Sequence, residues 1–335
     1  MEQKAPLGMS GAWNNAASSR HRLARTVVPF LLLTILAVLP LFGPGPNTVR
    51  LLFVTLVWVT VSVAWNILGG FGGQVSFGFA VFYGLGAYTA ALALNAGVNP
   101  VLSFLLAGSV ALLASLLVGL PTFRLQGPYF AIATIGVSEA VRVVMNNLSV
   151  TGGASGYRII ERGAFHQLHH FYTAVALAVV AVAVSILVWR SKLGLALVAI
   201  REDEEAASDL GVNPFRAKLL AHAIAATLTG AAGGVYARYA AFIHPQGVFA
   251  FDIGVAILLM PIIGGLGTIW GPVIGAGVYG LVHEELIASF PQLHLLLYGS
   301  LLILIILFEP GGVVGLFEKS LRMFSGTRRA SGSHP

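Results

Sequence analysis

From Pro100 to Leu120 the chain reads PVLSFLLAGSVALLASLLVGL, twenty-one residues without a charge. That length matches the roughly 20 apolar residues a helix needs to cross a hydrocarbon layer about 30 Å thick. Comparable runs fall at 26–42, 49–68, 77–96, 127–146, 170–189, 218–242, 253–263, 266–283 and 293–309. None shows the ten-residue alternation of a barrel strand, and a backbone amide in lipid needs a partner within its own segment, so the runs are read as helices. The predicted fold class is an all-α polytopic membrane protein with 8–10 transmembrane helices. The eighth run is short, and Pro261 with Gly264, Gly265 and Gly267 breaks it from the ninth. If those two form a re-entrant pair, eight full crossings remain and the parity of the chain is unchanged.

Composition supports the same class. With 57% hydrophobic residues and only 10% charged ones, a 335-residue chain cannot be arranged around a soluble core. The formal charge of +6 is a loop excess of the kind membrane topology demands, so nucleic acid is not its expected partner. There is no cysteine, which removes disulfides, thiolate metal sites and a thiol nucleophile.

Placing the amino terminus in the cytoplasm puts fourteen of the 19 Lys and Arg residues on that side, and only Arg50, Arg158 and Arg162 outside; Arg142 and Arg238 fall within spans. By the positive-inside rule both termini are cytoplasmic. The expected organisation is a tail at 1–25, a transmembrane domain at 26–310 with a cytoplasmic loop at 190–217, and a second tail at 311–335. Residues 1–25 lack a small-residue cleavage pattern and read as a tail, not a signal.

The loop carries the one long charge-dense stretch, Arg201-Glu-Asp-Glu-Glu-Ala-Ala-Ser-Asp-Leu-Gly211. Ala196, Ala199, Ile200, Ala207 and Leu210 recur at helical spacing, which predicts one helix over 196–210, about 22 Å long, with a small-apolar face and an acidic face. Gly211 suits a left-handed cap, and Asn213-Pro214 reads as the start of the next helix. A solvated connector has no use for an apolar stripe, so a docking helix is expected.

Within the spans, Glu139 and Arg142 lie three apart and can neutralise each other. Gln74, Ser76, Tyr88, Tyr129, Thr134 and Ser138 are polar groups that either line a path or satisfy helix packing. Two glycine-rich breaks, 69–74 and 264–267, stand at similar places in the two halves, as in transporters with internal repeats. The alternative is close helix packing, as for Gly230/Gly234 and Gly271/Gly275. His166, His169 and His170 can turn two imidazoles to one face, but with only Glu161 nearby no metal site is expected. His283-Glu284-Glu285 lacks the second histidine of a helical zinc-protease motif. No Gly-x-x-x-x-Gly-Lys-Ser/Thr loop occurs, so ATP-driven work falls to a separate subunit and no cofactor is expected on this chain.

Gly73-Gln-Val-Ser-Phe-Gly-Phe79, Gly84-Leu-Gly-Ala-Tyr-Thr89, Gly127-Pro-Tyr-Phe-Ala-Ile-Ala-Thr134, Thr151-Gly-Gly153 and Gly264-Gly-Leu-Gly-Thr-Ile-Trp-Gly-Pro272 occur in that order. Together with the acidic loop, they make the chain resemble the branched-chain amino acid permeases of ABC importers, most of all the M-type subunit of leucine/isoleucine/valine uptake. The resemblance runs from about residue 50 to 310 and departs at Phe79, where the family often has histidine.

It implies an inner-membrane permease working by alternating access with a second homologous permease, two cytoplasmic ATPase subunits that use ATP-Mg, and a periplasmic or other extracytoplasmic binding protein. It also implies an ATPase-coupling loop comprising Arg201, Glu204, Glu205, Ala206, Ala207 and Gly211. The substrate path is expected to include Gln74, Ser76, Tyr88, Tyr129, Thr134, Glu139, Gly264, Gly265 and Gly267. Urea and short-chain amide permeases share much of the pattern. An ion-coupled secondary transporter would need mid-membrane carboxylates, for which only Glu139 is a candidate. A membrane enzyme would need a catalytic set that no span supplies.

Overall fold

A computed structural model describes residues 28–289 apart from 44, 126 and 161–165, together with 293, 296, 299, 300 and 311–315; side chains are described only to residue 282 within the last long helix. The tail at 1–25 and most of the tenth apolar run lie outside the described residues. Among the described residues, six stretches are long and apolar enough to cross a membrane. They are α2 (Pro46–Gly72), α4 (Pro100–Thr122), α5 (Pro128–Asn147), α6 (Gln167–Arg190), α9 (Pro214–Ala240), and Pro245–Gly264, which joins the short α10 (Pro245–Val248) to α11 (Phe251–Gly264). Three shorter apolar helices are α1 (Val28–Phe42), α3 (Phe79–Asn95) and the first part of α12 (Gly271–Ser289). Between α6 and α9 stand α7 (Lys192–Glu202) and α8 (Glu204–Asp209).

The helix boundaries follow local chemistry. Proline opens α2, α4, α5 and α9, where its missing N–H costs nothing. Asn99 Oδ1 accepts from Val101 N at 2.9 Å, and Asn213 Oδ1 from Arg216 N at 3.0 Å, each satisfying an orphan donor of the first turn.

The helix α2 is apolar all round and almost wholly buried, with α6, α9, α11 and α12 against it. A second group, α3, α4 and α9, packs through small residues. A Cβ on Gly230 would stand 2.3 Å from Ala111 Cβ, so glycine there sets the approach of α9 to α4.

The bundle has two distinguishable ends. At the ribbon end, strand β1 (Tyr157–Arg158) pairs antiparallel with β2 (Phe242–Ile243), in the register Tyr157↔Ile243 and Arg158↔Phe242. Asn95 Nδ2 donates to Arg158 O at 2.8 Å, and Gln167 Nε2 to Pro46 O at 2.7 Å, so the end of α3 and the starts of α2 and α6 meet there. At the loop end, α2 stops at Gly73 (φ +68) and α7 and α8 cover the bundle.

Two expectations are corrected. The predicted helix over 196–210 is two helices, because Asp203 adopts an extended conformation (φ −158, ψ 115) and its Oδ1 accepts from Ala206 N at 3.0 Å, capping α8. Leu210, assigned to the apolar face, is 86% exposed. The ninth run begins as a helix only at Gly271; residues 265–270 are a turn, and α11 and α12 pack as neighbours across it. Gly311–Gly315, the start of the segment assigned to the second tail, brings Val314 (3% exposed) against this turn: a Cβ on Gly265 would meet Val314 Cβ at 2.9 Å.

Candidate functional site

The charged loop is anchored to the bundle at two points. Ser191 caps α7 by accepting from Leu193 N and Gly194 N, and α7 buries Gly194, Leu197 and Ile200. Leu197 lies over the end of α2, where a Cβ on Gly72 would stand 3.0 Å from Leu197 Cδ2. This packing delivers Arg201, the penultimate residue of α7, to the first glycine break, and its Nη1 donates to Gly70 O at 2.8 Å.

The second anchor is in α8. Lys218, near the start of α9 and 3% exposed, donates through Nζ to Glu204 Oε2 at 2.6 Å. Ala207 is buried, whereas Glu205, Ala206, Ser208, Asp209 and Leu210 face outward. Gly211, at φ +86, follows with Val212 N donating to Ala207 O at 3.1 Å, the six-to-one bond of a Schellman cap.

The two glycine breaks meet at the same place. Asn66, fully buried within α2, donates through Nδ2 to Thr268 O at 2.9 Å and accepts from Gly267 N at 3.0 Å. Thr268 Oγ1 in turn accepts from Gly271 N at 3.0 Å and starts α12. Gly267 has φ +76, and a Cβ there would lie 2.6 Å from Arg201 Nη1, so only glycine lets the turn, α2 and the arginine converge.

A second cluster lies between α3, α5 and α9. Ser76, 1% exposed, accepts on Oγ from Gly78 N at 3.3 Å, and its carbonyl accepts from Trp65 Nε1 at 2.8 Å. Thr134 Oγ1 accepts from Phe77 N at 3.1 Å, joining α5 to the segment before α3. Ser76, Thr134 and His222 line one narrow gap with no room for a water molecule. His222 is 2% exposed, neither ring nitrogen has a partner, and its ring sits edge-on to Phe79, Phe82 and Phe123 at 5.0–5.8 Å. The departure at Phe79 therefore has an imidazole from α9 beside it.

The remaining predicted residues are dispersed. Gln74 is half-buried at the end of the first break. Tyr88 is buried against Phe249, with ring centroids 6.0 Å apart and its hydroxyl without a partner. Tyr129 is exposed on α5. Further along α5, Glu139 and Arg142 form a two-point ion pair, with Arg142 Nε donating to Glu139 Oε2 at 2.9 Å and Nη2 contacting Oε1. Among the described residues no three His, Asp or Glu side chains converge on a metal site; His170 is buried with its ring 5.8 Å from Tyr239.

Asn66 and His222 escaped the sequence reading. Each sits inside a largely apolar run with no local motif to mark it.

Apolar helices around a buried hub, with a charged loop held against paired glycine breaks, define a multi-pass membrane transport subunit. The family described as "Branched-chain amino acid transport system / permease component" matches residues 47–306. The chain is 30% identical over 329 residues to the high-affinity branched-chain amino acid transport system permease protein LivM of Escherichia coli K12, covering 89% of this chain and 77% of that one. It is 31% identical over 326 residues to LivM of Salmonella typhimurium, covering 88% and 76%. To LivH of the same Salmonella it is 31% identical over 135 residues, covering 40% and 43%. No solved structure matches. The chain belongs to the branched-chain amino acid transport system permease family, and its likeness is to the M-type member over most of its length.

Proposed function

We propose that this chain is the M-type membrane-spanning subunit of an ATP-driven importer that carries leucine, isoleucine and valine across the inner membrane. Both termini and residues 190–217 lie in the cytoplasm. The chain catalyses no reaction and holds no cofactor; ATP-Mg is consumed by two cytoplasmic ATPase subunits. A second homologous permease completes the membrane path, and an extracytoplasmic binding protein delivers substrate. The family match and the LivM relatives support the substrate class.

The observation that carries the coupling half of this reading is the junction at Arg201. The outward residues Glu205, Ala206 and Leu210 offer an acidic and apolar surface to an ATPase. Movement of that surface passes through Arg201 to the Gly70 carbonyl, and through Asn66 to Gly267 and the α11–α12 turn. The breaks containing Gly264, Gly265 and Gly267 are then the hinge of alternating access. Gln74, Ser76, Tyr88, Tyr129, Thr134 and Glu139 belong to the substrate path. The unpartnered Tyr88 hydroxyl and His222 ring are groups a polar ligand would satisfy once helices part.

Glu205→Lys and Gly211→Val test this directly. The first reverses charge on the outward surface; the second forces a β-branched residue into a left-handed position, which is strained although the space around it is open. Both variants should reach the membrane at wild-type abundance and lose at least about ten-fold in labelled leucine uptake, about 1.4 kcal/mol of coupling. Normal uptake by both would reduce residues 201–211 to a solvated connector, and uptake of urea in place of leucine would move the substrate class.

A further inference from the structure

The outer face of α5 carries an ion pair in the middle of an otherwise largely apolar surface. Phe130, Thr134, Ser138 and Met145 face the bundle, and the opposite stripe is Tyr129, Ile132, Gly136, Glu139, Val143 and Asn147, with Ala140 and Val144 alongside. Nothing lies within 4 Å of a Cβ placed on Gly136, so the surface one turn from Glu139 is open. Glu139 is eleven residues from the start of a twenty-residue helix, about 16 Å along a rod of about 30 Å, and so lies away from headgroups at either end. Arg142 does not reach outward to the nearer interface. It turns back onto Glu139 with two nitrogens, leaving the Glu139 side chain 54% exposed and the Arg142 side chain 28% exposed.

We infer that Glu139 and Arg142 form a receptor for the charged ends of an amino acid zwitterion, the carboxylate of Glu139 taking the substrate ammonium and the Arg142 guanidinium taking the substrate carboxylate. This deepens, and rests on, the amino acid transport proposed above. An intramembrane pair that neutralises itself when empty and matches a zwitterion when opened leaves no net charge in the membrane in either state. Both partners have unused capacity: the carboxylate accepts further hydrogen bonds, and the guanidinium retains N–H groups beyond the two directed at Glu139. The open surface at Gly136 is where the branched aliphatic side chain of the substrate would lie.

The experiment uses the assembled transporter in cells. The double variant Glu139→Gln/Arg142→Gln is neutral and should insert and co-purify with its partner subunits as the wild type does, yet lose at least ten-fold in leucine uptake. The exchanged pair Glu139→Arg/Arg142→Glu keeps an ion pair but reverses its polarity, and it should not restore uptake. Uptake within two-fold of wild type in the double variant, or its recovery in the exchanged pair, would show that the pair only balances charge.

A second measurement stands if the double variant fails to accumulate. Gly136→Cys introduces the sole thiol of a cysteine-free chain. In the assembled complex, millimolar leucine should slow its modification by a maleimide at least three-fold, whereas leucinamide and 4-methylpentanoate, each lacking one charge, should not. Equal rates with and without leucine would overturn the assignment. Absence of leucine uptake by the wild type would instead sink the transport reading on which it rests.

Discussion

The helices α4 and α5 are consecutive, both apolar enough to cross a membrane, and yet dressed in opposite ways. α4 turns its small residues inward, with Ser103, Ala107, Gly108, Ala111, Ser115 and Gly119 buried, and shows Leu102, Leu105, Leu106, Leu113, Leu117 and Leu120 to the outside. Its one exposed hydroxyl, Ser109, donates to Leu105 O at 2.8 Å and asks nothing of the surroundings. α5 instead buries Phe130 and Met145 and turns outward a mixed face, in which Gly136, Glu139, Ala140 and Asn147 stand among Tyr129, Ile132, Val143 and Val144. Association between helices in lipid gains little from apolarity and more from close approach and polar contacts. Large aliphatics outside with small residues inside therefore mark a lipid boundary, and an ion pair with a glycine set among the outer aliphatics, as on α5, marks a face that meets protein or substrate.

The sharpest way to break this contrast is to place a charge on the lipid boundary. Leu113→Arg should cost about 2.5–3.5 kcal/mol of insertion and remove most of the membrane-integrated protein, read as abundance in washed membranes. Accumulation at wild-type level would mean α4 faces something wetter than lipid. A milder change sharpens the other side. Gly136→Leu gives α5 an outer surface like that of α4, and should leave abundance intact while lowering leucine uptake about ten-fold, about 1.4 kcal/mol. The smallest effect is expected from Leu117→Ala, which removes bulk from an exposed lipid-facing position. Stability to detergent and uptake should both stay within about 0.5 kcal/mol of wild type.

Part of this architecture can be read directly from the residues. Run length and charge mark the spans, and Gly211 with Asn213-Pro214 marks the turn into α9, because those signals are local. The break at Asp203 was hidden, since an acidic cluster reads equally as one helix face or as a cap, and the choice depends on what Glu204 meets; it meets Lys218, fourteen residues away. The junction of the glycine breaks was hidden for a stronger reason. Asn66 and Gly267 are separated by 201 positions and carry no shared pattern, so only folding reveals that one side chain bridges them. On α5 only the Glu139–Arg142 spacing of three was visible. Its inward face carries the Phe77–Thr134 bond, which no periodicity announces.

The pairing of Lys218 with Glu204 fastens α8 to the foot of α9, a rod of twenty-seven residues. At the far tip of that rod the chain turns through Ala241, a non-glycine residue at φ +58, into the ribbon that holds Tyr157 and Arg158. Leverage follows from the length alone: a rod of about 40 Å tilted by about 5° about its foot swings its tip by about 3.5 Å. A displacement of roughly one atom's width thus reaches the end of the molecule opposite the charged loop, through an arm seated there in a single pair of hydrogen-bonded strands.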